Sequence, residues 1–247
     1  MTDKRAPLSP PLAAALRRVE QVFRGMTASS RGCLHCFGAG ELALLAAPGT
    51  RLDDDLLIRF FHKVPDHFED HPAVVRRLLP QFLAYAASGE FTGAGFAPTG
   101  LGRTAWQEWP REQAEAIDAF LSVWWAETLA VPGPVPGVQA VFELCHDMRR
   151  SVTPLLDHWA GRDAGGAAER HLATWVGQWN EDLLRDDASS LSWWAPDPTE
   201  ELQTWLVRHA AHLDRRVPLL ALPPEARWVA YAEMVAEGVP FTAADTS

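Results

Sequence analysis

The sequence predicts an all-α protein, arranged as an irregular bundle or a short solenoid-like array of helical hairpins. Three observations lead there. Apolar residues recur at three- and four-residue intervals along most of the 247-residue chain, the pattern of a helix with one buried stripe. No segment of useful length alternates apolar and polar residues with the two-residue period of a half-buried strand. Helical hairpins begin near residues 54, 99, 138 and 198, and intervals of roughly 40 to 60 residues resemble helical repeats. The intervals are uneven and the segments unlike one another, which keeps the bundle open.

Pro10 and Pro11 open a first helix to about Phe23, with Leu12, Leu16, Val19 and Phe23 on one face. A short helix is expected near Gly40 to Ala47. Asp53, Asp54 and Asp55 supply a cap and a negative first turn for a helix to about Lys63. Pro72 begins another, whose Val74, Val75, Leu78, Leu79, Phe82 and Leu83 make a broad apolar face, with Pro80 expected to kink or end it. Thr99 to Trp106 reads as a shorter helix. Pro110 starts one whose Ile117, Phe120, Leu121, Trp124 and Thr128 keep helical spacing to about Ala130, and these two are expected to pack as a hairpin.

Residues 131–137, with three prolines and two glycines, cannot be helical and divide the chain. The expected organisation is an N-terminal helical half (1–130), this linker, a C-terminal helical half (138–241) and a flexible tail (242–247). Val141, Leu144, Cys145, Met148, Val152, Leu155, Leu156 and Trp159 lie on one stripe, read as a single helix bent at Pro154. Gly165 and Gly166 separate it from a helix over about Ala167 to Arg185. Two more follow, about Pro198 to Arg215 and Pro224 to Glu237.

A chain of this length buries a core without disulfides or metal. Its net charge of −10, from 32 acidic and 22 basic residues, argues against nucleic acid or an anionic membrane as the main partner and allows a basic protein partner. Lysine occurs only at Lys4 and Lys63; the remaining basic residues are arginine, a bias of GC-rich bacterial genomes. Arg17, Arg18 and Glu20 interrupt what a signal peptide would need as an apolar run, so a cytoplasmic protein is expected. Three cysteines do not form a disulfide framework in that compartment.

Cys33-Leu34-His35-Cys36 places two of the three cysteines at metal-knuckle spacing. A tetrahedral zinc needs two further donors, and no second pair follows. His35, His62, His67, His71, Cys145 and His146 supply the pool. Cys145 lies on an apolar stripe and reads as core, while His35 and His146 are the further candidates attached to Cys33 and Cys36. A redox pair or two plain thiols are the rival readings. His62, His67 and His71, with Asp66, Glu69 and Asp70 among them, form the densest ligand cluster. Read from His67, H-F-E-D-H fits neither H-E-x-x-H nor H-x-x-E-H, and Pro65 and Pro72 bracket it as a loop.

Phosphate-binding loops and the G-x-S-x-G elbow are absent from the sequence, so an enzyme is the weaker expectation. Among eleven tryptophans, Trp193 and Trp194 stand out as adjacent indoles on an expected loop, and are candidates for partner binding. At Cys33-Leu-His-Cys36, Arg77-Leu-Leu-Pro80 and Trp106-x-x-Trp109-Pro-x-x-Gln113 the chain resembles a group of uncharacterised bacterial all-helical proteins with an N-terminal C-x-x-C. The resemblance covers roughly residues 30–130 and implies no activity. The expected function is therefore a cytoplasmic helical protein-protein interaction module, an adaptor or immunity-type binder, with structural zinc at the C-x-x-C. The alternative is a metal-dependent enzyme acting on a small molecule through His62, His67 and His71.

Overall fold

The computed structural model describes residues 8–89, 102–160, 166–185, 197–209, 219 and 221–238, and these make an all-α protein. Two compact units are present: Met1–Thr128 with Gly133–Met148, and Leu129–Pro132 with Arg149–Ser247. The contacts thus divide the chain differently from the Pro/Gly segment at 131–137. The helix that follows that segment belongs with the first unit, because its apolar face is buried there and its last turn accepts a hydrogen bond at Met148 O from Trp106 Nε1, 2.5 Å away. No helix among the described residues is long and apolar enough to cross a membrane.

In the first unit, α1 (Pro10–Val22) is capped by Ser9, whose hydroxyl oxygen accepts from Leu12 N–H at 3.2 Å and donates to the Glu127 carboxylate. α2 (Ala39–Ala46) is closed by Glu41, which reaches back to Gly38 N–H at 2.8 Å. α3 (Asp54–Phe61) has the expected cap, Asp53 accepting from Leu56 N–H at 2.7 Å. Pro65–His67 forms a 3-10 turn, and Asp70 then caps α4 (His71–Ala87).

Of the two outcomes expected at Pro80, an end to the helix does not occur: α4 runs through it to Ala87. An interior proline costs about 3 kcal/mol. Its neighbours Leu78, Leu79, Phe82 and Leu83 are essentially buried, and each such side chain contributes about 1.5–3 kcal/mol by leaving water, so packing outweighs the lost hydrogen bond. Arg77 on the same helix donates from Nε to Ala47 O at 2.6 Å and from its terminal nitrogen to Thr50 O, fastening the α2–α3 connection to α4.

The expected helix at Thr99 to Trp106 is a second correction. Residues 99–101 lie outside the described part, and from Gly102 the chain runs in turns to a 3-10 segment, Trp106–Glu108. Gly102 lies so close to the helix over Val138–Arg149 that a Cβ would sit 2.2 Å from Asp147 O, and Ala105 is left-handed with φ of 47°. Trp106 and Trp109 are both buried, and Arg76 lies over the Trp109 ring at 4.4 Å. α5 (Arg111–Ala130) and α6 (Val138–Arg149) complete the unit.

The stripe from Val141 to Trp159 is two helices and not one bent at Pro154. The chain breaks at Arg150, in the left-handed region at φ 59°, and α7 (Thr153–Ala160) begins with Pro154 in its first turn. Glu201 makes this break possible. Its carboxylate accepts from Ser151 Oγ at 2.5 Å, Val152 N–H at 3.0 Å and Thr153 N–H at 2.7 Å, capping α7 from α9 (Thr199–Arg208). α8 (Ala167–Leu184) packs on α7 and on α10 (Pro224–Ala236). Trp159 Nε1 donates to Ala168 O at 2.6 Å and Trp205 Nε1 to Asp157 Oδ1 at 3.0 Å. Trp193, Trp194, residues 210–215 and the tail at 242–247 lie outside the described residues.

Two outcomes follow from these contacts. Arg77→Leu strands two carbonyls and removes charged hydrogen bonds, so the first unit loses about 2–3 kcal/mol of unfolding free energy in urea titration; no change would show these bonds to be idle. Burial pushes the Glu201 carboxyl up, but the Ser151, Val152 and Thr153 donors outweigh it and hold the pKa below its ordinary 4.5. A depressed carboxyl stabilises above its unfolded pKa and loses that stabilisation as pH falls through the folded value. The difference in melting temperature between wild type and Glu201→Gln is therefore constant near neutrality and shrinks below about pH 4; a gap independent of pH would contradict the cap.

Candidate metal centre

Residues far apart in sequence are brought together by one isolated antiparallel bridge, Gly32 with Phe68. Cys33 N–H donates to His67 O at 2.8 Å, and Glu69 N–H to Arg31 O at 3.2 Å. Glycine at position 32 favours this approach, since a Cβ there would lie 2.8 Å from Leu42 Cδ2 and 3.0 Å from His67 O, and both would have to shift. The C-x-x-C turn is closed by Cys36 N–H and Phe37 N–H, both donating to Cys33 O at 3.1 Å. On the other side Phe68 N–H donates to Pro65 O at 3.0 Å, tightening the turn that carries His67. Outside the bridge, Glu69 accepts from Ser29 Oγ at 2.5 Å and pairs with Arg31 at 3.1 Å. Inside, the Phe37 and Phe68 rings meet at 5.4 Å over Phe60.

The bridge sets Cys33 Sγ, Cys36 Sγ and a His67 ring nitrogen within 4.8 Å of one another. Cys36 Sγ is 3.4 Å from His67 Nδ1. Around a tetrahedral zinc, with Zn–S near 2.3 Å and Zn–N near 2.0–2.1 Å, sulfur and nitrogen stand about 3.5 Å apart. The Cys36–His67 pair therefore already has the separation that a zinc-class ion requires. The His67 side chain, then the backbone N–H groups of Cys36 and His35, then the Cys36 thiol, push the Cys33 pKa down to about 6. Burial raises Cys36, reinforced by the hydrogen bond and charge of Cys33, while Lys63 opposes the rise. One sulfur is thus prepared as a thiolate at neutral pH, the form in which cysteine binds metal.

His67 is the donor that the sequence did not single out for Cys33 and Cys36. His35 is exposed at the apex of the turn, and His146 is buried in α6; neither belongs to the converging group. Cys145 is fully buried, as its place on the apolar stripe predicts. The His62, His67, His71 cluster separates. His62 is exposed at the end of α3, and His71 is buried at the start of α4, its ring 5.4 Å from that of Phe60. Burial, opposed by the Asp70 charge, pushes His71 down to about 4, so it is a neutral ring in the core. Nothing in the 31-residue separation of Cys36 and His67 signals their meeting; only the bridge register does.

Metal-free protein should show two distinct thiols. Carbamidomethylation of Cys33, followed by mass spectrometry across pH, should rise with an apparent pKa of about 6, with Cys36 reacting in a higher range. His67→Ala should move the Cys33 profile upward toward that of an ordinary thiol, whereas an unchanged profile would remove His67 from contact with the sulfurs. No family model matches the sequence, and comparison with curated proteins and with solved structures gives no match.

Proposed function

We propose that this protein is a helical interaction module, an adaptor or immunity-type binder, in which Cys33, Cys36 and His67 hold a zinc-class ion in a structural role. One observation carries the reading: two sulfurs and an imidazole nitrogen converge within 4.8 Å of one another, with Cys36 Sγ and His67 Nδ1 3.4 Å apart, the separation of ligands around a tetrahedral ion. Thiolate and imidazole donors select Zn(II) and similarly soft ions over magnesium or calcium. Thiols of this kind persist in the reducing cytoplasm, where we place the protein.

In this role the ion ties the 33–36 turn to the 65–67 turn. Leu34, 72% exposed, then stands on a cross-linked apex beside the exposed His35. An apolar side chain held outward on a rigid turn loses little entropy on docking. α10 presents a separate apolar surface of Trp228, Val229 and Val235, each at least half exposed, and Trp193 and Trp194 are further candidate contacts. The net charge of −10 favours a basic partner. The alternative, a metal-dependent enzyme using His62, His67 and His71, has less support, because among the described residues His67 alone of the three belongs to a converging donor group.

The test is metal content of tag-free protein purified without chelator, by plasma mass spectrometry, beside Cys33→Ser/Cys36→Ser and His67→Ala. One zinc per chain in the wild type, lost from the double variant and weakened in His67→Ala, is expected. Metal-free wild-type protein that also takes up no zinc on titration would overturn the proposal.

A further inference from the structure

The Cys33, Cys36, His67 group offers three donors, and among the described residues no other histidine, cysteine or carboxylate converges with them. A tetrahedral ion takes four ligands. The inner side of the centre is filled, since Phe37 and Phe68, the residues that follow two of the ligands in the chain, turn inward and are buried against each other. The three ligands are themselves only partly buried, and Leu34 and His35 between the cysteines are exposed. The remaining coordination direction therefore points to solvent.

Charge narrows what can fill it. A divalent ion with two thiolates and a neutral imidazole carries no net charge. Glu69 is paired with Arg31 and Glu41 with Arg59, Asp70 is engaged at the α4 N-terminus, and Asp66, beside His67 in the chain, is exposed. Lys63 acts on Cys36 without a carboxylate partner among the described residues. The centre thus combines soft ligands with an ammonium group that acts on one of its sulfurs, conditions that favour a soft monoanion over water.

We propose that the fourth position of this centre is an exchangeable site for a thiolate supplied from outside the chain, by a small thiol or by a cysteine of a partner protein. The inference rests on the metal reading above. Binding is ligand exchange: the thiol loses its proton to solvent, its sulfur bonds the metal, and the water that held the position leaves.

Cobalt(II) is the probe, because its visible d–d bands and sulfur-to-metal charge-transfer band report ligand number and type. Cobalt is added to the metal-free full-length chain, which is then titrated with N-acetylcysteine amide, a Cys-containing Arg-rich peptide and the same peptide with Glu for Arg. A saturable rise in charge-transfer intensity with cobalt still protein-bound is expected, and Lys63→Gln should weaken it about fivefold. Equal affinity for the small thiol and the Arg-rich peptide assigns the site to small thiols. Tighter binding of the Arg-rich peptide, with the Glu peptide weakest, assigns it to a partner's cysteine. Stoichiometric cobalt binding with bands indifferent to every thiol means that the position is closed, which overturns this inference and leaves the structural centre standing. No cobalt uptake overturns both.

Discussion

Two backbone hydrogen bonds, Cys33 N–H to His67 O and Glu69 N–H to Arg31 O, decide the chemistry of the first unit. They fix the register in which the C-x-x-C turn faces the 65–67 turn. In an antiparallel pair successive side chains point to opposite sides. With Gly32 opposite Phe68, the Phe68 ring goes into the core and His67 turns toward the sulfurs. A slip of one residue would exchange them, placing an imidazole among Phe37 and Phe60 and a phenyl ring beside the thiols. The burial of Phe68, worth about 1.5–3 kcal/mol, and the absence of a Cβ at Gly32 together hold the register that makes a donor of His67.

The aromatic layer beneath the centre has a second consequence. Phe60 and Phe68 meet His71 at the start of α4, and the layer continues from Phe60 through Phe61 to Phe82 farther along that helix. Its two ring nitrogens have no hydrogen-bond partner, and water is excluded, so the charged form is strongly disfavoured. His71 and His67 stand four residues apart and differ in role for this reason alone. One is packed as an aromatic ring; the other sits at the boundary where a nitrogen lone pair can reach a thiol.

What the sequence disclosed was local. Asp53 as a cap, Pro11 and Pro72 at helix starts, and the buried stripe of Leu12, Leu16 and Val19 follow from propensities and periodicity within a few residues. Cys33 and Cys36 as a candidate pair were equally legible from spacing. Three features were not. α4 continues through Pro80 because burial on both sides outweighs a local penalty. The helix breaks at Arg150 because Glu201, about fifty residues later, satisfies the freed N–H groups of Val152 and Thr153 and the Ser151 hydroxyl. His67 joins the cysteines across a bridge that no periodicity encodes. Each depends on a partner distant in sequence, and pattern within a window carries no information about such partners.

The same distance sets what a bound ion can contribute. Linking residue 36 to residue 67 closes a loop of about thirty residues, and in the chain-entropy account a cross-link of that size restricts the unfolded state by about 3–4 kcal/mol. That loop is not an empty span. It contains α2 and α3, whose Leu42, Leu45, Leu57, Phe60 and Phe61 are buried in the core, and the Arg77 guanidinium independently fastens their connection to α4. A metal bound at this point would therefore be a staple on a unit that already has a core, whereas a small metal-dependent finger is unfolded without its ion. Loss of the ion should loosen the 29–37 segment and leave the helices in place. A centre that is dispensable for the core would be free, once it holds an ion, to exchange a ligand, or the ion itself, without unfolding the protein that carries it.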